Sequence, residues 1–204
     1  MSGPRFVAIG DSFTAGIEPG RTAFPDIVAE QLPGWRYMNL AVAGARAADV
    51  RAGQLDLALA LRPRLVSVIC GANDVVRTTR PDVEQFALHF DHILGRLRST
   101  LPEASIVTST YPEAEFFRLR ARTRSRISAG LKDVNAIIRR SADRYGAVCL
   151  ELAGHPGRGE RANYAADGFH PSAQGHRNAA RAFGDCLRER FGIELESSTE
   201  EAAA

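Results

Sequence analysis

Phe6-Val7-Ala8-Ile9, followed at once by Gly10-Asp11-Ser12, is the stretch that decides the fold. Four consecutive apolar residues before a tight polar turn are typical of a buried strand in a parallel sheet. In such sheets, ligands bind beyond the carboxyl ends of the strands. The pattern therefore places Ser12 where chemistry is expected and makes it a candidate nucleophile.

Strand-like runs alternate with helix-like segments along the rest of the chain. After a first strand at 5–9, we predict strands at residues 36–40, 65–70, 105–110 and 147–152 and helices at residues 24–32, 49–61, 81–98, 125–145 and 172–191. Residues 111–122 have no clean period and are expected to form an irregular lid or the start of a helix, and residues 153–168 are expected to form a loop. This alternation favours an α/β fold with a parallel sheet covered by helices on both faces.

Length and composition limit the classes of protein to which the chain can belong. With 204 residues, the chain is expected to form one domain over residues 1–192, followed by an acidic, disordered tail at 193–204. A net charge of +2 is too small to indicate a nucleic-acid partner. Lys132 is the only lysine, which excludes any phosphate loop that needs a Gly-Lys-Ser/Thr motif.

The three cysteines, Cys70, Cys149 and Cys186, are odd in number and widely spaced. They predict neither a disulfide framework nor a zinc site. No apolar segment precedes the first strand, and no run approaches the ~20 apolar residues of a membrane span. We therefore expect a cytoplasmic protein with no signal peptide and no transmembrane segment, and leave its oligomeric state open.

Four turns follow predicted strands or lie in the last loop, three of them polar and one made of small and apolar residues. They are Gly10-Asp11-Ser12-Phe13-Thr14, Leu40-Ala41-Val42-Ala43-Gly44, Gly71-Ala72-Asn73-Asp74 and Asp167-Gly168-Phe169-His170-Pro171. Because the carboxyl ends of parallel strands meet at one edge of a sheet, we expect these turns to converge. Together they supply a hydroxyl, an imidazole, a carboxylate and an amide, which are the groups that acyl transfer needs.

Each of these groups has a physical role. A serine hydroxyl is a poor nucleophile until a base takes its proton, and His170 can do so near neutral pH. Asp167, three residues earlier, can hold the imidazole in the correct tautomer. The backbone N–H groups of Ser12 and Gly44 and the side-chain amide of Asn73 can bind the oxyanion, and Gly44 lacks a Cβ that would block close approach.

The four blocks, in this order, resemble those of the SGNH-hydrolase superfamily, also called the GDSL esterase/lipase family. The resemblance covers residues 5–191, with Phe13 in place of the family's namesake leucine. It implies a flavodoxin-like, three-layer α/β/α fold with about five parallel strands. It also implies a serine hydrolase that cleaves carboxylic esters, or thioesters, of a small molecule or lipid without a metal or other cofactor.

Other functions remain open at this point. The same site could transfer an acyl group to an alcohol or remove an acetyl group from a carbohydrate. A flavodoxin-like binding or signalling module is a third alternative. A phosphoacceptor of that kind needs a lysine near the last strand, and Lys132 lies in a predicted helix instead.

Three further features have two interpretations each. His176 is a second candidate base, but no carboxylate accompanies it at a helpful spacing. The aromatic and aliphatic residues Phe116, Phe117 and Leu119 either line an acyl pocket or anchor their segment to the core. A cluster of arginines either captures an anionic substrate or forms a solvated helix face; its members are Arg118, Arg120, Arg122, Arg124 and Arg126.

Overall fold

Five parallel strands form the central sheet of the protein, whose structure, a computed structural model, describes residues 3–16, 22–113 and 115–196. The strands are β1 (Arg5–Gly10), β2 (Arg36–Asn39), β3 (Leu65–Ile69), β4 (Ser105–Ser109) and β5 (Val148–Leu150). They lie in the order β2-β1-β3-β4-β5, and each neighbouring pair is parallel. The predicted α/β fold with five parallel strands is confirmed.

Helices cover the sheet in two layers. They are α1 (Ser12–Ala15), α2 (Phe24–Glu30), α3 (Ala47–Gly53), α4 (Leu55–Ala60), α5 (Ala72–Val76), α6 (Val83–Thr100), α7 (Ala121–Arg144) and α8 (Ala173–Phe191). Helices α2 and α8 pack on each other in one layer, while α6 packs against both α3 and α7 in the other. Within the described ranges, no helix is long and apolar enough to cross a membrane.

The two central strands, β1 and β3, are apolar along most of their length, with Ser67 as a buried polar residue in β3. All five residues of β3 are buried, as are residues 6–10 of β1. A strand with helices on both faces has no solvent-facing side, so apolar residues do not alternate with polar ones. Each fully buried valine, isoleucine or phenylalanine stabilises the fold by about 1.5–3 kcal/mol relative to exposure.

The order of the strands creates a switch point between β1 and β3. The chain passes from β1 to β2 on one side and later returns to β3 on the other side of β1. In doubly wound sheets, the crevice outside the carboxyl ends of two such strands is where ligands bind. Ser12 follows β1 and Asn73 follows β3, so this crevice receives two of the predicted site residues.

Two segments differ from the sequence-based prediction in detail. The helix predicted at 49–61 is two helices, α3 and α4, which meet at Gln54, where φ is −118° and ψ is −35° and the side chain is buried. The irregular segment predicted at 111–122 is shorter, since α7 begins at Ala121.

The end of the domain also lies later than residue 192. Ile193 and Leu195 pack against the core, and the backbone N–H of Glu196 donates to the carbonyl of Gln31 at 2.9 Å. Residues 193–196 therefore belong with the folded domain rather than with the predicted tail. The remainder of that tail, 197–204, lies outside the described residues.

Candidate active site

The turn after β1 presents Ser12 at the start of α1. Asp11 caps this helix, and its Oδ1 accepts a hydrogen bond from the backbone N–H of Phe13 at 3.0 Å. Gly10 has a φ of 150°, and a Cβ there would stand 2.0 Å from the carbonyl oxygen of Ile69. Only glycine fits this position, so the tight turn that exposes Ser12 depends on it.

His170 and Asp167 meet Ser12 from the loop that precedes α8. The Ser12 Oγ lies 2.9 Å from the Nε2 of His170, although the two residues are 158 positions apart in the chain. On the other side of the ring, the Nδ1 of His170 lies 2.5 Å from the Oδ2 of Asp167. The structure thus brings together the predicted nucleophile, base and orienting carboxylate in one continuous relay.

Backbone amides fix the carboxylate end of this relay. The N–H groups of Phe169 and His170 donate to the Oδ1 of Asp167 at 2.9 and 3.1 Å. Burial alone would raise the pKa of Asp167, but hydrogen bonds from the His170 ring and these two amides outweigh it and hold the pKa below its ordinary value. Asp167 is therefore a carboxylate at neutral pH and can accept a hydrogen bond from the Nδ1 of His170.

Aromatic side chains hold the histidine loop in place. The ring of Phe13 contacts Phe169 edge-on at a centroid distance of 5.4 Å and lies 5.8 Å from the imidazole of His170. Phe117 stacks on Phe169 at 4.7 Å, and the N–H of Arg118 donates to the carbonyl of Asp167 at 3.1 Å. These contacts favour the interpretation in which Phe117 anchors its segment to the core over the one in which it lines an acyl pocket.

The three predicted oxyanion donors lie on three segments: Ser12 begins α1, Gly44 lies in the loop between β2 and α3, and Asn73 lies in α5. The loop that carries Gly44 is tied to the nucleophile turn because the N–H of Val42 donates to the carbonyl of Gly10 at 3.1 Å. Asn73, in the first turn of α5, donates one side-chain N–H to the carbonyl of Ala45 at 3.2 Å, and its amide has a second N–H for which no acceptor is found in the part of the chain that the structure describes. The N–H of Gly44 donates to no acceptor within the described residues.

His176 lies elsewhere, on the buried face of α8. Its Nδ1 accepts a hydrogen bond from the backbone N–H of Phe24 at 3.3 Å. Burial, with a smaller contribution from the charge of His170, lowers the pKa of His176 to about 4. This histidine is neutral at physiological pH and supports the packing of α2 on α8; of the two candidate bases, only His170 reaches Ser12.

The sequence matches the model of the GDSL-like lipase/acylhydrolase family over residues 8–177, which is most of the chain. The chain belongs to this family. Its reaction class is the hydrolysis of carboxylic esters, as the motifs around Ser12, Asn73 and His170 predict. No curated protein matches the chain in sequence.

Several solved structures share the fold of this GDSL-family hydrolase. An extracellular lipase from Streptomyces rimosus has a TM-score of 0.70 and 22% identity, over 89% of this chain and 99% of the lipase. An acetylxylan esterase from Geobacillus stearothermophilus, in a catalytic-mutant form, has a TM-score of 0.74 and 21% identity, over 97% of this chain and 98% of the esterase. At these identities the likeness establishes the three-layer fold.

Behind the nucleophile turn of the hydrolase lies a buried carboxylate that sequence patterns did not mark as important. Asp11 is 0% exposed, and its Oδ2 accepts a hydrogen bond from the hydroxyl of Tyr111 at 3.0 Å. Burial raises the pKa of Asp11 to about 7, although the bonds from Phe13 N–H and Tyr111 lower it and the charge of Asp74 raises it further. A carboxyl that titrates near neutral pH thus lies directly beside Ser12.

The side chain of Gln54 holds the same turn by hydrogen bonds to the backbone of Gly10. The Oε1 of Gln54 accepts from the N–H of Gly10 at 2.7 Å, and its Nε2 donates to the carbonyl of Gly10 at 3.0 Å. One signal in the sequence was available. Val50, Gln54 and Ala58 are four residues apart and all buried, so a polar residue occupies an otherwise apolar helical stripe.

Two members of the arginine cluster 118–126 make hydrogen bonds that stabilise neighbouring segments of the fold. Arg126 donates to the carbonyls of Val75 and Thr78 at 3.2 and 2.6 Å and so fixes the turn after α5. Arg124 donates to the carbonyl of Leu119 at 3.4 Å. For these two members, the contacts favour a structural role over capture of an anionic substrate.

An apolar cavity of about 100 Å³ lies behind the aromatic residues that flank the relay. The residues that line it include Phe13, Tyr111 and Phe169, together with His176 and Phe183 of α8. Elsewhere in the part of the chain that the structure describes, no three His, Cys, Asp or Glu side chains converge as they would around a metal ion.

Proposed function

We propose that Ser12, His170 and Asp167 are the catalytic triad of a serine esterase. The observation that carries this proposal is the pair of contacts at His170, with Ser12 Oγ at 2.9 Å from Nε2 and Asp167 Oδ2 at 2.5 Å from Nδ1. A carboxylate on Nδ1 keeps the proton there and leaves Nε2 free to accept one. This arrangement is the one that activates a serine hydroxyl.

Acylation of the enzyme is the first half of the proposed reaction. The Oγ of Ser12 attacks the acyl carbon of the ester while Nε2 of His170 takes the hydroxyl proton. The tetrahedral intermediate then collapses, the bond to the alcohol oxygen breaks, and His170 gives its proton to that oxygen. The alcohol leaves, and the acyl group remains on Ser12 as an ester.

Hydrolysis of the acyl-enzyme is the second half. His170 takes a proton from water as the water oxygen adds to the acyl carbon, and the new tetrahedral intermediate expels Ser12 Oγ. The proton on His170 returns to Ser12, and the carboxylic acid leaves. Asp167 stays ionised throughout and stabilises the imidazolium that forms in each half.

The oxyanion in both halves needs preplaced donors, and we propose three. They are the N–H of Ser12, at the start of α1, the N–H of Gly44 and the second side-chain N–H of Asn73. An amide in the first turn of a helix has no partner within the helix, so Ser12 N–H can turn toward the oxyanion. Removal of one such donor, as in Asn73→Ala, typically lowers kcat by about 100- to 1000-fold.

A small-molecule or lipid ester is the proposed substrate, and a thioester is compatible with the same chemistry. Removal of an acetyl group from a carbohydrate is a special case of this reaction, and one neighbour in fold is an acetylxylan esterase. Acyl transfer differs only in the acceptor, an alcohol instead of water. Product ratios with and without an added acceptor alcohol separate transfer from hydrolysis.

The test is the variant Ser12→Ala, assayed with p-nitrophenyl butyrate. We expect turnover to fall to background while the circular-dichroism spectrum is retained, and we expect a fluorophosphonate probe to label Ser12 in the wild type. Ser99→Ala, at an exposed serine on α6, is the matched control and should keep full activity. Turnover that survives in Ser12→Ala would contradict the proposal.

The cytoplasm, a reducing compartment, is the proposed location. Cys70, Cys149 and Cys186 are all free thiols, and two of them are buried. Proteins of oxidising compartments more often pair their cysteines. Fractionation of cells that express the full chain tests this proposal.

A further inference from the structure

Arg77 lies at the edge of the loop that carries Gly44. It caps the carboxyl end of α5, four residues after Asn73, and its backbone N–H donates to the carbonyl of Asn73 at 3.3 Å. Residues four apart on a helix share a face. Both side chains therefore reach the same loop: Asn73 donates to Ala45, and the Nη1 of Arg77 donates to the carbonyl of Gly44 at 2.9 Å.

The guanidinium of Arg77 covers Gly44 closely. A Cβ added to Gly44, whose φ is 84°, would stand 2.7 Å from the Nη1 of Arg77. The Cα of Gly44 is bonded directly to the N–H that we propose as an oxyanion donor. The positive charge of Arg77 is therefore next to the place where the ester carbonyl would bind.

Among the described residues, Arg77 uses one of its hydrogen-bond donors. A guanidinium has five N–H donors, and the carbonyl of Gly44 takes one of them. Within residues 3–16, 22–113 and 115–196, no carboxylate lies within 4.0 Å of this exposed side chain. By contrast, Arg139 and Arg144 each pair with a carboxylate, and Arg126 is bonded to two carbonyls.

Hydrogen bonds from other helices hold the segment that carries Arg77 in place, although the side chain of Arg77 is exposed. Arg126 reaches from α7 to the carbonyls of Val75 and Thr78, which flank Arg77 in sequence. Asp74, on the same short helix, accepts a hydrogen bond from the N–H of Ala47 at 3.1 Å and so ties α5 to α3. A cation held in this way loses less entropy when it binds a ligand than a free surface arginine does.

We propose that Arg77 binds an anionic group of the substrate, so that the preferred esters carry a carboxylate or phosphate near the scissile bond. The inference rests on the proposed function of Ser12, since it places the ester carbonyl beside Gly44. A planar guanidinium donates two parallel hydrogen bonds to a carboxylate or phosphate, which a neutral side chain cannot match. Recognition of this kind selects among substrates and takes no part in the bond changes.

Two pairs of esters test the proposal, with the charge on either side of the scissile bond. The acyl-side pair is the p-nitrophenyl monoester of adipic acid and p-nitrophenyl hexanoate. The alcohol-side pair is 4-acetoxybenzoate and 4-acetoxybenzamide. For each ester, kcat/KM is measured on wild type, Arg77→Gln, Arg77→Lys and Arg80→Gln and divided by the uncatalysed rate. Arg80, exposed and three residues on, is the matched control.

We expect wild type to favour the anionic member of at least one pair by about fivefold or more, as a charge-assisted hydrogen bond at a partly exposed site implies. Arg77→Gln should lose that preference, measured as the ratio of kcat/KM for the anionic ester to kcat/KM for its neutral partner, in which any effect of the lost contact with Gly44 that is common to both esters cancels. Arg77→Lys should keep part of the preference, and Arg80→Gln all of it.

Equal rates for both members of both pairs in wild type would overturn the inference, as would a preference that Arg77→Gln retains. If Arg77→Gln fails to fold, salt decides with wild type alone, because raising NaCl from about 0.05 to 0.5 M should remove most of the preference. A preference that salt leaves unchanged contradicts a role for Arg77. Turnover in Ser12→Ala is a separate result that would refute the proposed function instead.

Discussion

The hydroxyl of Tyr111 donates a hydrogen bond to the Oδ2 of Asp11 at 3.0 Å, one residue before the proposed nucleophile. Tyr111 is itself held on both sides of its backbone, since its N–H donates to the Oδ1 of Asn135 and its carbonyl accepts from the Nδ2 of Asn135, both at 2.8 Å. A chain of buried hydrogen bonds thus links α7 to the turn that carries Ser12. Buried networks of this kind fix one geometry because each unpaired member is costly.

Tyr111→Phe removes one hydroxyl from this chain and leaves the ring in its edge-on contact with Phe13 at 5.0 Å. The Oδ2 of Asp11 then loses its donor, while Oδ1 keeps the bond from the N–H of Phe13, so the free energy of unfolding should fall by about 1–3 kcal/mol. Because Asp11 holds the start of α1, kcat for p-nitrophenyl butyrate should fall by about tenfold while KM changes by less than about twofold.

Urea unfolding and steady-state kinetics measure the two effects of Tyr111→Phe. Tyr145→Phe, at the carboxyl end of α7, is the matched control and should leave kcat unchanged. A loss of stability with no change in kcat would show that Tyr111 supports the fold without positioning the nucleophile.

Asp11→Asn tests the buried carboxyl through the pH dependence of stability. The pKa of Asp11 rises from 3.8 to about 7 on folding, so the folded state holds its proton more tightly than the unfolded state does. Stability from this group is complete below about pH 4 and is lost as the pH rises to 7. Above that pH the wild type carries a cost of about 4 kcal/mol, from the 1.36 kcal/mol that each pKa unit represents.

Asparagine does not titrate, so Asp11→Asn escapes this cost. The stability of the variant relative to wild type should therefore increase by about 3 kcal/mol between pH 5 and pH 8, measured by urea unfolding at both values. Asp185→Asn, at a surface residue paired with Arg188, is the control and should show a much smaller change. A difference between Asp11→Asn and wild type that is the same at both pH values would contradict the assignment.

The parts of the fold that could be predicted from sequence are those with a local pattern. The apolar runs at Phe6–Ile9 and Leu65–Ile69 mark strands buried on both faces, and each ends in a polar turn, which is enough to place Ser12 and Asn73 at one edge. The motif Asp167-Gly168-Phe169-His170 is equally local, because one short loop supplies both the imidazole and its carboxylate.

The contacts that sequence could not reveal join remote backbones. Gln54 is 44 residues from Gly10, and Tyr111 is 100 residues from Asp11, so neither pair produces a spacing or a period. Arg77 is similar, because an exposed arginine after a short helix has many uses and only the structure shows that it covers Gly44. The arginine cluster 118–126 is evident in the sequence, but its role is not. Arg124 and Arg126 donate hydrogen bonds to backbone carbonyls of the protein itself.

Gln54→Leu tests the second support of the nucleophile turn. Leucine is apolar and fits a buried site, but it leaves the N–H of Gly10 without its side-chain partner, while the carbonyl of Gly10 keeps the hydrogen bond from the N–H of Val42. A buried, unpaired group costs about 1–3 kcal/mol, so the free energy of unfolding should fall by about 1–3 kcal/mol. Differential scanning calorimetry measures the loss, and Gln85→Leu, at an exposed glutamine, should differ little from wild type. A Gln54→Leu variant as stable as wild type would show that water replaces both bonds.

Asp167→Asn tests the proposed direction of proton transfer at His170. Asparagine keeps an oxygen for the N–H groups of Phe169 and His170, which donate to Oδ1 of Asp167, so the loop should hold its shape. Its amide nitrogen then faces Nδ1 of His170, where the carboxylate Oδ2 was. The amide donates a hydrogen bond to Nδ1, whereas the carboxylate accepted one from it.

The imidazole of Asp167→Asn must therefore carry its proton on Nε2, which points at Ser12 and can no longer take the hydroxyl proton. By the same logic that applies in serine proteases, kcat should fall by about 10³- to 10⁴-fold, and the variant should keep the melting temperature of wild type within about 3 °C. Fluorophosphonate labelling of Ser12 should slow in parallel with kcat, because it needs the same deprotonation. A folded Asp167→Asn variant with more than about a tenth of wild-type activity would mean that Asp167 does not set the tautomer of His170.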